Sequence, residues 1–232
     1  MIIIGKRLWI AIVVVLLSAT SAPATVITVA NPSFETLPAG DLPNSCGTGC
    51  SYSVWNAGTS TTAIPDWTAT ASYPDGASGQ LQPGSSSLFN YVPDGITVAY
   101  IASAGTISQT VGATAQPGVT YTLQVDLGFR TDEQDLASVE LVVGSNTILA
   151  TGTSDQLSGN WANYTASYTA TGADAGAAIE IVLSESAEST AQGDCDNVRL
   201  SDNAAVPEPA SLAIFGTALA GLGLLRRRKK AA

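Results

Sequence analysis

Residues 119–129 read VTYTLQVDLGF, and this stretch decides the fold class. Apolar side chains occupy every second position, as at Leu123 and Val125, and polar side chains such as Thr122 and Asp126 lie between them. Alternation with a period of two is typical of a β-strand that has one buried and one solvated face. The stretch therefore predicts a strand of an antiparallel sheet that covers a core on one side.

The same alternation recurs along the middle of the chain, and no stretch sustains the 3.6-residue period of a helix. Turn residues such as Pro93-Asp94-Gly95 separate the alternating segments. Eight or more short, one-sided strands predict an all-β fold, an antiparallel two-sheet sandwich or jelly roll. Further strands are predicted at residues 26–30, 96–103, 106–110, 137–143, 146–150, 164–168, 179–183 and 197–201.

Residues 46–90 differ from this pattern because they are rich in Gly, Ser, Thr and Pro. We expect long loops with a few short strands there, and loops are where binding surfaces concentrate. Trp55 and Trp67 are candidate ligand-binding residues, since a flat ring stacks on the apolar face of a sugar. Trp67 lies beside a predicted strand start and fits the core better. Tyr100 is the third candidate.

Both ends of the chain carry targeting patterns. Residues 1–24 combine Lys6 and Arg7, an apolar run and a small-x-small cleavage site, which predicts a secretory signal peptide. The tail, residues 206–230, reads VPEPASLAIFGTALAGLGLLRRRKK. Its apolar run at 210–225 ends in a basic cluster, which predicts a transmembrane helix with its charged end in the cytoplasm. Between the ends we expect a sandwich domain at 25–201 and a linker at 202–205.

The exported part, residues 25–205, is strongly acidic. Of nine Lys and Arg residues only Arg130 and Arg199 lie in it, whereas it keeps 18 of the 19 acidic residues, so its net charge is −16. Nucleic acid is excluded as a partner, because binding it needs Lys and Arg to replace counterions. Anionic membranes and acidic polysaccharides are equally disfavoured, and cations such as Ca²⁺ are favoured.

Three cysteines and the absence of histidine limit the chemistry. Export permits a disulfide, and Cys46–Cys50 is placed ahead of the two pairings that use Cys195. Without histidine, Ser-His-Asp catalysis and His-ligated metals are excluded. Cys195 lies between Asp194 and Asp196, whose carboxylates oppose thiolate formation.

Pro207, Glu208 and Pro209, the apolar run and the terminal arginines resemble the PEP-CTERM sorting signal. The resemblance implies recognition, and cleavage near Pro-Glu-Pro, by the membrane peptidase exosortase in Gram-negative bacteria that make exopolysaccharide. It implies export by the secretion machinery through the inner membrane, membrane anchoring until processing, and then a cell-surface or extracellular location.

Short motifs in the domain carry a second resemblance. Asn31-Pro32-Ser33-Phe34-Glu35, Val98-Ala99-Tyr100-Ile101 and Asp196-Asn197-Val198-Arg199-Leu200 are similar to motifs of galactose-binding-like and carbohydrate-binding-module jelly rolls, including the Stig cyclases. Stig cyclases are calcium-dependent enzymes that cyclise indole-isonitrile terpenoids. The resemblance implies that the first and last strands adjoin, so that Glu35 and Asp196 meet at one edge and hold calcium, with Asn31 or backbone carbonyls completing the oxygen shell.

These observations leave three functional hypotheses. The first is a non-enzymatic envelope or matrix protein that binds carbohydrate, such as polysaccharide, and structural calcium. The second is an enzyme similar to the Stig cyclases, or one that processes glycosides, with Asp194 or Asp196 and Tyr100 as acid candidates. The third is a purely structural matrix protein.

Overall fold

The computed structural model describes residues 24–54, 64–70, 78–85, 87–102, 105–132, 137–152, 157–185 and 192–203. The predicted signal peptide, the predicted tail helix, the Pro-Glu-Pro motif and Trp55 lie outside the described residues. No helix within the described ranges is long and apolar enough to cross a membrane.

Fourteen strands make up almost all regular structure of the described domain. They are β1 (Thr25–Ile27), β2 (Asn44–Gly47), β3 (Cys50–Tyr52), β4 (Thr68–Thr70), β5 (Ser78–Gln82), β6 (Val98–Ala102), β7 (Thr106–Thr114), β8 (Thr120–Gly128), β9 (Ser138–Val143), β10 (Asn146–Leu149), β11 (Thr151–Gly152), β12 (Trp161–Thr169), β13 (Ala178–Ser184) and β14 (Gln192–Asp202).

The strands form two antiparallel sheets, which confirms the predicted jelly-roll class. The larger sheet has the order β11-β12-β8-β14-β6-β5-β3-β2, with β1 paired to the far end of β14. The smaller sheet has the order β10-β9-β13-β7-β4. The first and last strands adjoin as predicted, because Thr25 pairs with Asp202 and Ile27 with Leu200.

The alternating stretch at 119–129 forms β8, which lies near the middle of the larger sheet between β12 and β14. Its apolar side chains Tyr121, Leu123, Val125 and Leu127 are buried, and the polar ones between them are not. The core therefore lies between the two sheets, where β8 faces buried residues of the smaller sheet such as Ile181.

One predicted strand is much longer than expected. The sequence pattern predicts a strand at residues 197–201, whereas β14 runs over Gln192–Asp202. A β-bulge interrupts its pairing with β8 between Asp196 and Arg199, and Asn197 adopts a left-handed conformation with φ 52°. The extra residue changes which positions face the core. The alternation before the bulge is therefore out of phase with the alternation after it. For this reason a single continuous alternation does not predict the first half of the strand.

Trp67 belongs to the core, as its position beside a strand start favours. Its side chain is 5% exposed, and its ring packs on Phe34 at a centroid distance of 5.2 Å. Its Nε1 donates to the carbonyl of Asn31 at 3.1 Å. A ring held in this way does not offer its face to a ligand, so Trp67 closes one end of the sandwich.

A short 3₁₀ turn at Gly172–Asp174 connects β12 to β13 and depends on one carboxylate. Asp174 Oδ2 accepts hydrogen bonds from the Thr171 backbone and hydroxyl and from Tyr168 Oη, all at 2.7–2.8 Å. Asn146 Nδ2 donates to the other oxygen. These donors, the Thr171 amide foremost, lower the pKa of Asp174 below its ordinary value of 3.8.

The Asp174 bonds predict a contribution to stability that depends on pH. Because the pKa is lower in the folded state, the contribution is complete above pH 3.8 and is lost as pH falls below it. We expect Asp174→Asn to be less stable than wild type at neutral pH, and to lose less stability on acidification. Urea unfolding at several pH values measures the stability at neutral pH and its loss on acidification, with the exposed Asp41→Asn as control. Parallel wild-type and Asp174→Asn curves would contradict the prediction.

Candidate functional site

A row of side chains crosses the outer face of the larger sheet, the face turned away from the core. Strand pairing sets Gly79 opposite Tyr100, Tyr100 opposite Asp194, and Asp194 opposite Gly128. Gly128 in turn pairs with Trp161. Directly opposed residues point to the same face of an antiparallel sheet. The register therefore brings together residues 79, 100, 128, 161 and 194, which are far apart in the sequence.

An apolar cluster covers this row. Cys50, Leu81, Val98 and Tyr100 form its buried part, and the partly buried residues packed against them are Tyr52, Leu88, Phe89, Val92 and Trp161. The segment before β6 is tied down over the sheet, since Trp161 Nε1 donates to the Tyr91 carbonyl at 2.8 Å. The larger sheet is thus covered on both faces here, by the core and by this second cluster.

A cavity of about 490 Å³ opens at the edge of this cluster, and we call it the tyrosine pocket. Its apolar wall contains Tyr52, Leu81, Leu88 and Tyr100, and polar groups stand at its border. The two tyrosine rings meet edge to face, with centroids 6.4 Å apart. The full lining is Ser45, Cys46, Tyr52, Val54, Leu81, Leu88, Tyr100, Ala102, Arg130 and Gln192.

Tyr100 is held rigidly in the wall of the pocket. Its hydroxyl donates to the Ser53 carbonyl at 2.7 Å, and its ring lies against Gly79. A Cβ at position 79 would stand 2.1 Å from the Ser53 oxygen, so only glycine permits this approach. Burial first, then Tyr52 and Asp194, raise the pKa of the Tyr100 phenol. Tyr100 is therefore a neutral hydrogen-bond donor at physiological pH.

The acidic pair on β14 lies on the outer face, with Cys195 between them facing the core. Asp194 is fully buried beside Tyr100 and accepts from Gln192 Nε2 at 2.8 Å. Cys195 carries a free, buried thiol. Burial, assisted by Asp194, Glu185 and Asp196, raises its pKa well above the ordinary value. The thiol is therefore protonated and unsuited to nucleophilic chemistry.

Cys46 and Cys50 are joined by a disulfide, the pairing placed first in the sequence analysis. The bond closes the hairpin of β2 and β3. Cys50 is buried in the outer apolar cluster, and Cys46 lines the tyrosine pocket. The disulfide therefore fastens the pocket's outer border to its apolar wall.

The calcium candidates Glu35 and Asp196 both hold one loop, residues 94–97. Glu35 Oε1 accepts from the amides of Ile96 at 2.8 Å and Thr97 at 2.7 Å. Asp196 Oδ2 accepts from the Asp94 amide at 3.0 Å. The third candidate, Asn31, bonds through its amide group to Thr36 and Pro65.

The side-chain oxygen atoms of Asn31, Glu35 and Asp196 are hard ligands of the kind that Ca²⁺ prefers. Burial, with Asp94 and Asp126 nearby, raises the pKa of Asp196 to about 8, against the effect of its two backbone donors. Within the described part of the chain, no group of three or more Asp, Glu, His or Cys side chains is arranged to hold a metal ion. The hydrogen bonds of Glu35 and Asp196 fix the 94–97 loop.

Sequence reasoning named Tyr100 but missed most of its partners in the pocket. Leu81, Arg130 and Gln192 come from three segments that only the strand pairing brings together. Arg130 carried one usable signal, because it is one of two basic residues in an exported domain of net charge −16.

Two antiparallel sheets and a tyrosine-walled cavity outside the core define a jelly-roll domain with a ligand-sized pocket on one sheet. Residues 25–201 match the sequence profile of the HpiC1 cyclase family, and the chain belongs to that family. Residues 205–229 match the PEP-CTERM protein-sorting motif, which implies export, processing by the membrane peptidase exosortase, and a cell-surface or extracellular location.

Solved structures support the same fold. The Stig cyclase Fisc from Fischerella sp. TAU, in complex with (3Z)-3-(1-methyl-2-pyrrolidinylidene)-3H-indole, is 22% identical with a TM-score of 0.63, covering 79% of this chain and 100% of its own. A Fischerella sp. TAU cyclase in complex with 4-(1H-indol-3-yl)butan-2-one is 21% identical, with a TM-score of 0.59 and the same coverage.

Carbohydrate-binding-module jelly rolls are more distant neighbours. TmCBM61 in complex with β-1,4-galactotriose is 15% identical with a TM-score of 0.41, covering 75% of this chain and 97% of its own. Comparison with curated proteins gives no match.

Proposed function

We propose that the exported domain binds an uncharged, ring-bearing organic molecule in the tyrosine pocket, and that the sorting signal delivers this binding domain to the cell surface. The observation that carries the proposal is the pocket itself, with Tyr52, Leu81, Leu88 and Tyr100 in its wall. Its volume of about 490 Å³ lies within the range of roughly 300–1,000 Å³ typical of small-molecule sites.

The wall favours a flat ring with an apolar face. Tyr52 is half-buried and lies edge to face against the rigid Tyr100, with an interplanar angle of 75°. Two aromatic and two leucine side chains supply dispersion contact over an extended area. The indole compounds held by the Fischerella cyclases contain a flat ring, and a neutral sugar presents an apolar face to an aromatic side chain.

The charges disfavour an anionic ligand. Arg130 is bound through two hydrogen bonds to Asp132, and Arg199 pairs with Asp126 at 3.5 Å. Both basic side chains of the exported part thus have acidic partners, in a segment of net charge −16. A free carboxylate or phosphate on the ligand would meet net repulsion.

Ring binding predicts a dependence on Tyr52. We expect the wild-type protein to bind indole, methyl β-D-glucopyranoside or both, and Tyr52→Ala to weaken that binding about tenfold through lost ring contact. Calorimetric titration measures the affinities of wild type and Tyr52→Ala, with the exposed Tyr91→Ala as control. No binding of either compound, or equal affinities of wild type and Tyr52→Ala, would refute the proposal.

A second candidate is catalysis of the Stig cyclase kind, favoured by the family match and by Asp194 lying opposite Tyr100. Asp194 would supply the proton that starts cyclisation and Tyr100 would position the ring. Incubation with an indole-isonitrile terpenoid distinguishes the candidates. A product of unchanged mass, absent with Asp194→Asn, supports the enzyme, and binding without conversion supports the non-enzymatic role.

Calcium is proposed as a structural ion of this domain, held near the 94–97 loop by oxygens of Asn31, Glu35 and Asp196. We expect added Ca²⁺ to raise the melting temperature and chelation to lower it, because the ion would bind only the folded state. Glu35→Gln should reduce both shifts, whereas Glu180→Gln on the smaller sheet should not. A melting temperature that neither Ca²⁺ nor chelator changes would dismiss the ion.

Processing of the tail completes the proposal. The apolar run 210–225 would hold the chain at the membrane until exosortase cuts near Pro207, Glu208 and Pro209. We expect the mature protein to end close to Pro209, which mass spectrometry of its C-terminus measures. A mature chain that retains Arg226–Lys230 would contradict cleavage.

A further inference from the structure

A second cavity adjoins the tyrosine pocket, and neither ring binding nor cyclase-like catalysis uses it. Its volume is about 410 Å³, and its own lining is polar: Gly47, Thr48, Ser85, Ser87 and Asp132. It shares Cys46, Leu88 and Arg130 with the tyrosine pocket. We call it the polar cleft. Because three residues line both cavities, the two cavities lie side by side.

The first wall of the polar cleft is built by contact between two turns. Gly84 has a φ of +54°, and a Cβ there would lie 1.8 Å from the Gly49 carbonyl oxygen. Glycine at position 84 therefore permits the turn to touch the β2–β3 hairpin. Ser85 Oγ then donates to the Thr48 carbonyl at 3.0 Å. The disulfide between Cys46 and Cys50 closes the same hairpin.

The second wall is tied to the end of β8. The Thr131 amide donates to the Leu88 carbonyl at 3.1 Å, and its hydroxyl donates to the Ser87 carbonyl at 2.6 Å. Residues 87 and 88 are thereby held beside Arg130. Both walls are hydrogen-bonded before any ligand arrives, so the cleft is preformed and little ordering is required on binding.

The charge at the base of the cleft is balanced. Arg130 Nε and Nη2 donate to the two carboxylate oxygens of Asp132 at 2.9 and 2.8 Å, and the Arg130 side chain is only 12% exposed. A paired guanidinium and carboxylate add no net charge. The cleft therefore offers hydroxyl, backbone and ion-pair hydrogen-bonding groups to an uncharged partner, and ligand hydroxyl groups match them.

We infer that the two cavities form one site for an amphiphilic ligand, an apolar ring in the tyrosine pocket joined to an uncharged, hydroxyl-rich group in the polar cleft. An aryl glycoside has this chemistry. The inference rests on the proposed function, because it takes ring binding in the tyrosine pocket as its starting point. It adds the class of ligand and a second set of residues that select it.

The test compares four compounds on the full chain in mild detergent by calorimetric titration: indole, phenol, methyl β-D-glucopyranoside and phenyl β-D-glucopyranoside. Phenol and the methyl glucoside represent the two parts of the phenyl glucoside. We expect the phenyl glucoside to bind at least about tenfold more tightly than either part alone, because one molecule makes both sets of contacts. Thr48→Trp fills the polar cleft and should remove most of that advantage. Thr147→Trp, at an exposed position of the smaller sheet, is the matched control.

The outcomes distinguish failure of the joint site from failure of the proposed function. Indole binding that is sensitive to Tyr52→Ala, with no advantage for the phenyl glucoside or no effect of Thr48→Trp, overturns the joint site and leaves the tyrosine pocket intact. A phenyl glucoside that binds through the cleft alone, unaffected by Tyr52→Ala, also overturns the joint site. Failure of all four compounds to bind overturns both the joint site and the proposed function.

Discussion

The architecture of the site depends on one β-bulge in the last strand. Asn197 takes up a left-handed conformation, and its Nδ2 donates to Asp126 Oδ2 at 2.8 Å on the neighbouring strand. Before the bulge, Cys195 faces the core while Asp194 and Asp196 face outward. After it, Val198 and Leu200 face the core. A regular strand would leave one of these two sets on the wrong face, since side chains alternate strictly in a strand. The bulge lets one strand complete the core at one end and carry acids outward at the other.

The outer face of the larger sheet carries the tyrosine pocket, and the sheet is covered on both faces there. The core stabilises one face, and the cluster around Val98 and Tyr100 covers part of the other. Within this cover Asp194 is fully buried beside a neutral phenol. Buried polar groups are costly unless they are satisfied. Tyr100 lines the open pocket, and Asp194 lies opposite it on β14.

The chain joins a domain of the HpiC1 cyclase family to a sorting motif that lies outside that domain. Charge is distributed accordingly. Seven of nine basic residues belong to the two end segments, whereas 18 of 19 acids belong to the exported part. The basic residues at the ends suit interaction with a membrane, and the acidic surface keeps the exported domain dispersed. The family domain and the sorting motif are thus separate segments of the chain.

The sequence by itself determined the fold class and the PEP-CTERM sorting motif, because these depend on local patterns: alternation in segments such as 119–129, and Pro-Glu-Pro followed by an apolar run and basic residues. It also placed Asn31, Glu35 and Asp196 at one end through short motifs, and it favoured the core for Trp67. Only the tertiary structure decided the pocket. Tyr52, Tyr100, Arg130 and Gln192 become neighbours through non-local strand pairing, whose register no local pattern specifies. The bulge at Asn197 was invisible for the same reason, since it shifts the alternation within one strand and is defined only against the partner strand β8.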